Sequence, residues 1–276
     1  MFAGFMKGTA LAAVTVAGLF GAQANAAMVN SWSYVLQSEF GDATFSSGTG
    51  SQVEDQLAVN WGSPFGSSDP RFNSNRSGIE LEGDTVNGAG QAETSGNYNT
   101  NDLVNAGLGP SIFHINNSIS GSYATLETAE LFATLLLTPT SPAGSPLAPI
   151  AVTFDIEFSE TVNQAPCADP VGPDCADIFV LGSGSLNQSF SYDGQTYYIS
   201  IFEVTNSLTA LDDDVCAAAG APSGCIGFVT EEGKINEAKF GFVITTRPVL
   251  TPEPAAFALL GSGLVAGGLA LRRRKK

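Results

Sequence analysis

Histidine is nearly absent from this chain: His114 is the single one in 276 residues. A mononuclear zinc enzyme ordinarily draws on two or three imidazoles, so that chemistry lacks its ligands. A Ser-His-Asp site would have one candidate base, and no Gly-x-Ser-x-Gly elbow accompanies it. Basic residues are scarce too. Lys7 and Arg272 to Lys276 lie at the two ends, leaving Arg71, Arg76, Lys234, Lys239 and Arg247. Against those five stand 26 of the 27 acidic residues, a formal charge of −21 between the ends. Such a surface repels nucleic acid and anionic lipid, and a nucleic-acid partner is excluded. Long stretches of helical periodicity are also missing outside the ends, which argues against a helical core.

What is present begins with the ends. Lys7 precedes a largely apolar run from Gly8 to Gly21, and small residues close the segment at Ala24-Asn25-Ala26. A short basic region, a short apolar core and small side chains at the cleavage subsites make a secretory signal peptide over 1–26. Signal peptidase would cut after Ala26, so the mature chain starts at Ala27. At the other end, Pro252-Glu253-Pro254 precedes an uncharged run over 255–271, and Arg272, Arg273, Arg274, Lys275 and Lys276 follow. At ~1.5 Å per residue that run makes a helix of roughly 25 Å, near the lower limit for a single transmembrane helix. The basic tail 272–276 should hold its end in the cytoplasm.

Pro252-Glu253-Pro254, the Gly/Ala/Leu span and the Arg-rich end together resemble the PEP-CTERM sorting signal of Gram-negative bacteria. The resemblance covers 251–276. It implies recognition by an exosortase, with the chain anchored transiently in the inner membrane and then released or transferred near the Pro-Glu-Pro. It also implies association with exopolysaccharide and biofilm.

Four cysteines form two close pairs in sequence, Cys167 with Cys175 and Cys216 with Cys225. Each pair brackets a loop containing Pro or Gly. In an exported chain they read as disulfides closing small loops. Three connectivities are open, and proximity favours the local pairs. A four-cysteine zinc site is the alternative, but the two-to-four-residue spacing it uses is absent.

Between the ends, period two dominates. Ile150, Val152, Phe154, Ile156 and Phe158 alternate with more polar residues, as a half-buried strand does. Leu131 to Leu137 repeats the pattern, with a break expected at Thr138-Pro139. Asp193-Gly194 between aromatic-rich runs predicts a hairpin, since both residues accept positive φ. Phe240, Phe242 and Ile244 alternate again. The Gly/Asn-rich stretch 83–109 reads as a long surface loop, and the proline-rich stretch 138–149 as an excursion within one domain. The expectation is all-β: an antiparallel β-sandwich or jelly-roll-like domain over 27–250.

Asn60-Trp61-Gly62, Gly78-Ile79-Glu80-Leu81 and Ile112 to Ile119 occur in that order and resemble the choice-of-anchor K domain. Its members show a Trp-Gly early and a Thr-His-hydrophobic-Asn-Asn-Pro-Ile segment later. Here Phe113 stands where threonine is usual and Ser118 where proline is usual. The cysteine pairs and Asn236 to Phe240 fit the same group. The resemblance implies a surface-anchored protein with no established catalytic chemistry.

Candidate chemistry is sparse. His114 is expected to be structural, hydrogen-bonded to a loop carbonyl near Asn116 and Asn117. The pairs Glu127/Glu130, Glu157/Glu160 and Glu231/Glu232 offer the two carboxyls a glycosidase needs, if they share a cleft at the right separation. Asp212-Asp213-Asp214 is the best calcium candidate, weighed against a solvated acidic turn that is preferred. Trp32, Trp61 and the tyrosines are expected mostly in the core, not stacked on sugars. No catalytic residue, resident metal or cofactor is assigned. The expected function is a non-catalytic exported cell-surface or extracellular-matrix protein, sorted by an exosortase. Its partners are that enzyme, signal peptidase with the general secretion machinery, exopolysaccharide and, in passing, the inner membrane. The alternative is an extracellular glycoside hydrolase using paired carboxylates.

Overall fold

In the computed structural model, residues 27–161, 175–182 and 187–249 are described. In chain order the strands are β1 (Ser31–Phe45), β2 (Ser51–Glu54), β3 (Ala58–Gly62), β4 (Arg76–Glu82), β5 (Thr85–Val86), β6 (Ala92–Asn99), β7 (Gly107–Ile115) and β8 (Leu126–Ser141). They continue with β9 (Ile150–Ser159), β10 (Asp177–Leu181), β11 (Asn187–Tyr192), β12 (Gln195–Glu203) and β13 (Thr209–Ala210). A short helix, α1 (Asp213–Ala218), precedes β14 (Ile226–Thr230) and β15 (Ile235–Thr245).

The strands form two antiparallel sheets. One runs β13-β14-β10-β9-β8-β1-β6-β5 and the other β11-β12-β15-β7-β4-β3-β2. The alternation that predicted β9 decides its faces: Val152, Phe154, Ile156 and Phe158 are buried while Ala151, Thr153 and Asp155 are exposed. That inner face meets Val59, Trp61, Ile79 and Ile112 from the opposite sheet in the main core. A second cluster around Trp32, Tyr34, Tyr197 and Phe242 extends the same interior. Edge-to-face pairs such as Tyr34 with Phe242, centroids 5.0 Å apart, lock the two layers. A third, smaller cluster lies outside the sandwich, where Val215 and Cys216 of α1 cover Ile178 and Val180 of β10.

The hairpin at Asp193-Gly194 forms as expected. Tyr192 pairs with Gln195, and the two turn residues take φ of 47° and 74°. Three expectations need correction. The stretch 83–109 is not a loop: it holds β5, β6 and the start of β7. β6 lies between β1 and β5, and its face toward Tyr34 is small, so hydrophobic alternation is faint. A Cβ on Gly96 would meet the Tyr34 ring at 2.9–3.0 Å. Nor does Thr138-Pro139 break β8, which continues to Ser141. The ladder to β9 ends at Leu135↔Ile150, so Pro139 sits where no β9 hydrogen bond is required of it. The proline-rich connection after it joins two neighbouring strands of one sheet.

Third, Asp212 to Asp214 do not form a simple turn. They start α1, with Asp213 and Asp214 in its first turn where the helix dipole favours negative charge. The signal peptide 1–26 with Ala24 and Ala26, the tail 251–276 with its span 255–271, and Cys167 lie outside the described residues. Ala27 is the first described residue and is exposed. Among the described residues no helix is long and apolar enough to cross a membrane.

Candidate functional site

The inward-facing alternation of several strands turns polar at one end of the core. On β9 the series Phe154, Ile156, Phe158 continues, two residues on, to Glu160. On β14 the series Phe228, Thr230 continues to Glu232. On β10 Asp177 shares the face of Phe179, and on β7 His114 shares the face of Ile112. Sheet pairing gathers them: Asp177 pairs with Thr230, and Ile178 with Ser159, which puts Asp177 level with Glu160. Carboxylate oxygens of Glu160, Asp177 and Glu232 all lie within 4.8 Å of one another.

The surroundings are apolar on one side. Trp61, His114 and Asp177 are each 0% exposed, whereas Glu160 and Glu232 are half-buried. Trp61 Nε1 donates to Glu160 Oε2 at 2.8 Å. The Thr161 amide donates to Asp177 Oδ1 at 2.9 Å. The His114 ring meets Phe158 edge to face, centroids 5.0 Å apart. His114 Nδ1 lies 2.7 Å from Thr230 Oγ1, so its partner is a hydroxyl of the opposite sheet and not the loop carbonyl expected near Asn116 and Asn117. Asn116 itself donates to Thr230 O at 2.7 Å. His114 Nε2 has no hydrogen-bond partner among the described residues.

Burial sets the charge states. It pushes the Glu160 carboxyl up to about 7, against the opposing pull of the Trp61 donor. Burial and the neighbouring Glu160 push Asp177 well above the ordinary carboxylate range. One proton held between these two carboxyls relieves their repulsion. Burial drives His114 down to about 3, so the imidazole is neutral. Its Nε2 stands 3.9 Å from Asp177 Oδ2, too far for a hydrogen bond, and with a neutral ring this is no ion pair.

The other singled-out residues disperse. Glu127 and Glu130 lie on the outward face of β8, and Glu157 on that of β9, so none of the three sequence pairs forms a site. One member of each of two pairs, Glu160 and Glu232, joins Asp177 instead. Asp177 was missed by sequence reasoning. Its signal was an acid directly before the fully buried run Ile178-Phe179-Val180. Asp212 to Asp214 are exposed and stand apart from this cluster. Trp32 is buried, its Nε1 donating to Thr100 Oγ1 at 2.9 Å.

The segments carrying the second resemblance converge, since β7, β4 and β3 are neighbours. Asn60 Oδ1 accepts from buried Arg76, while Phe113 points outward under the Arg71 guanidinium, 5.0 Å from its ring centroid. Cys216 and Cys225 form a disulfide with Cα atoms 5.7 Å apart. Cys175 is also disulfide-bonded, and Cys167 lies outside the described residues.

A search of curated proteins found no match to this sequence. Against protein families, the match lies at the C-terminus. Residues 250–275 carry the PEP-CTERM protein-sorting motif, which implies an exported protein sorted to the cell surface by an exosortase.

Proposed function

We propose that this chain is a non-catalytic surface or matrix protein whose β-sandwich associates with exopolysaccharide once the exosortase has acted. The observation that carries the reading is the sorting motif at 250–275, a signal that delivers its cargo to the outside of the cell. The order and adjacency of Asn60-Trp61-Gly62, Gly78 to Leu81 and Ile112 to Ile119 support a core of the choice-of-anchor K type. A strongly acidic surface keeps such a domain soluble in a hydrated matrix and favours cations or basic partners over nucleic acid. The nearest approach to hydrolase chemistry is the Glu160–Asp177–Glu232 group. Its nearest oxygens come within 4.8 Å of one another, near the roughly 5–5.5 Å between the carboxyls of retaining glycosidases, but Glu160 Oε2 is taken up by the Trp61 Nε1 donor.

The test is glycan-array binding by the exported chain, with exopolysaccharide from the producing strain as one analyte. Saturable binding without release of reducing ends supports the proposal. Steady release of sugar that stops in Glu160→Gln would replace it with the hydrolase reading.

A further inference from the structure

We propose that Glu160, Asp177, Glu232 and His114 together bind one divalent first-row transition cation, Zn²⁺ or Mn²⁺. No step of the sorting reading depends on this site. Three carboxylates meet within 4.8 Å at the end of an otherwise apolar core. A shared proton accounts for Glu160 and Asp177, but it leaves the imidazole unexplained. His114 is fully buried, its Nε2 is unpartnered among the described residues, and that nitrogen stands 3.9 Å from Asp177 Oδ2.

The second ring nitrogen makes this orientation informative. In the tautomer whose Nδ1–H donates to Thr230 Oγ1 at 2.7 Å, the Nε2 lone pair is left free 3.9 Å from Asp177 Oδ2, just outside the trio of mutually close carboxylates. A hydrogen bond on the far nitrogen is how metal-binding histidines are held in one tautomer. Zn²⁺ bonds imidazole nitrogen and carboxylate oxygen at about 2.0–2.2 Å. The Nε2–Oδ2 separation of 3.9 Å is below twice that length, so one ion can touch both atoms with side-chain shifts of a few tenths of an ångström.

A mixed nitrogen and oxygen set argues for the transition series. Ca²⁺ takes about 6–8 oxygen ligands and gains nothing from an imidazole. A dication would also offset most of the charge that three clustered carboxylates carry when ionised. Half-buried Glu160 and Glu232 form the rim, so solvent reaches the site without opening the core.

The experiment uses the full exported chain without a histidine tag, stripped with EDTA and titrated calorimetrically with ZnCl₂, MnCl₂ or CaCl₂. One equivalent of Zn²⁺ or Mn²⁺ should bind, and Tm should rise by about 5–10 °C at hundredfold excess over Kd. Co²⁺ in the same site should give visible d–d bands that shift in His114→Gln. Combining Glu160→Gln with Asp177→Asn should weaken binding at least a hundredfold while keeping the isosteric packing. Glu232→Gln, at the rim, should weaken it about tenfold even if the double variant fails to fold. Absence of binding at 1 mM metal, or binding unchanged in Glu232→Gln, would overturn the proposal. Calcium binding as strong as zinc and indifferent to His114→Gln would overturn it too, because the nitrogen would then have no part.

Discussion

Trp61 and Glu160 are joined across the sandwich: the indole of β3 in one sheet donates to the carboxyl just beyond β9 in the other, over 2.8 Å. The same indole packs on Phe158 with centroids 4.9 Å apart. One residue therefore closes the apolar core and begins its polar end.

Trp61→Phe separates those roles, since it keeps an aromatic ring and removes the donor. Stability should fall by about 1 kcal/mol, because a half-buried acceptor loses its donor. The donor favours ionised Glu160, so the deficit should be larger at pH 8 than at pH 5. Urea midpoints at the two pH values check both statements. An equal loss at both would leave only a packing role for the indole.

The polar end should also make the metal-free protein less stable as pH rises. Glu160 goes from an ordinary 4.5 to about 7 on folding, and Asp177 moves in the same direction. A raised carboxyl keeps in the folded chain a proton that the unfolded chain has lost, so its contribution is complete below about 4.5 and disappears as pH climbs through 7. His114, lowered from 6.5 to about 3, acts oppositely and costs stability only as pH falls below 6.5. Above 6.5 the carboxyls act alone. The unfolding free energy from urea titration should therefore drop between about pH 6.5 and 8, by up to about 1.4 kcal/mol per pH unit for each proton that the folded chain holds and the unfolded chain has lost. Glu160→Gln should flatten that slope, and a midpoint rising over this range would contradict the assignment.

Much of this site was legible in the periodicity of the sequence. Extending Ile150, Val152, Phe154, Ile156 and Phe158 by one step lands on Glu160, a core-facing acid. Sequence alone could not bring it to Glu232 and Asp177, because that depends on the order β14-β10-β9. Strand order is set by long-range packing that no local window contains. β6 escaped notice for another reason. Three of its inner positions, Ala92, Thr94 and Gly96, are small, and Tyr98 alone is bulky, so no run of alternating large apolar residues marks the strand. Pro139 misled in the opposite direction: the β9 ladder has ended before it, and only β1 continues alongside, with Trp32 opposite the proline.

The disulfide Cys216–Cys225 offers a local test. It ties α1 to the approach of β14, and α1 covers the outer face of β10. A cross-link closing a loop of this size contributes about 2–3 kcal/mol in the chain-entropy description. Replacing both cysteines by alanine should lower stability by that amount. Amide exchange should accelerate first over 211–225, while the amides of β1 and β8 keep their protection. Equal acceleration throughout would show that the helix is coupled to the whole sandwich.

The last prediction concerns the motif at 250–275. Two prolines disfavour helix at Pro252-Glu253-Pro254, so the peptide bonds there should stay extended at the outer face of the membrane. The uncharged run that follows is short and rich in Gly and Ala, which makes it a weaker anchor than a leucine-rich span. Arg272, Arg273 and Arg274, with the two lysines, should fix orientation long enough for an enzyme to act. These features fit a segment that is held briefly and then cut. Glu253→Ala, or loss of the exosortase, should trap a full-length inner-membrane form still carrying Arg272 to Lys276. Deleting those five residues should disturb orientation instead, leaving chains that are neither processed nor exposed. Intact-mass measurement of surface material decides between the two roles: a truncated C-terminus near Pro252 supports processing, and a surface form ending at Lys276 would make the tail a permanent anchor.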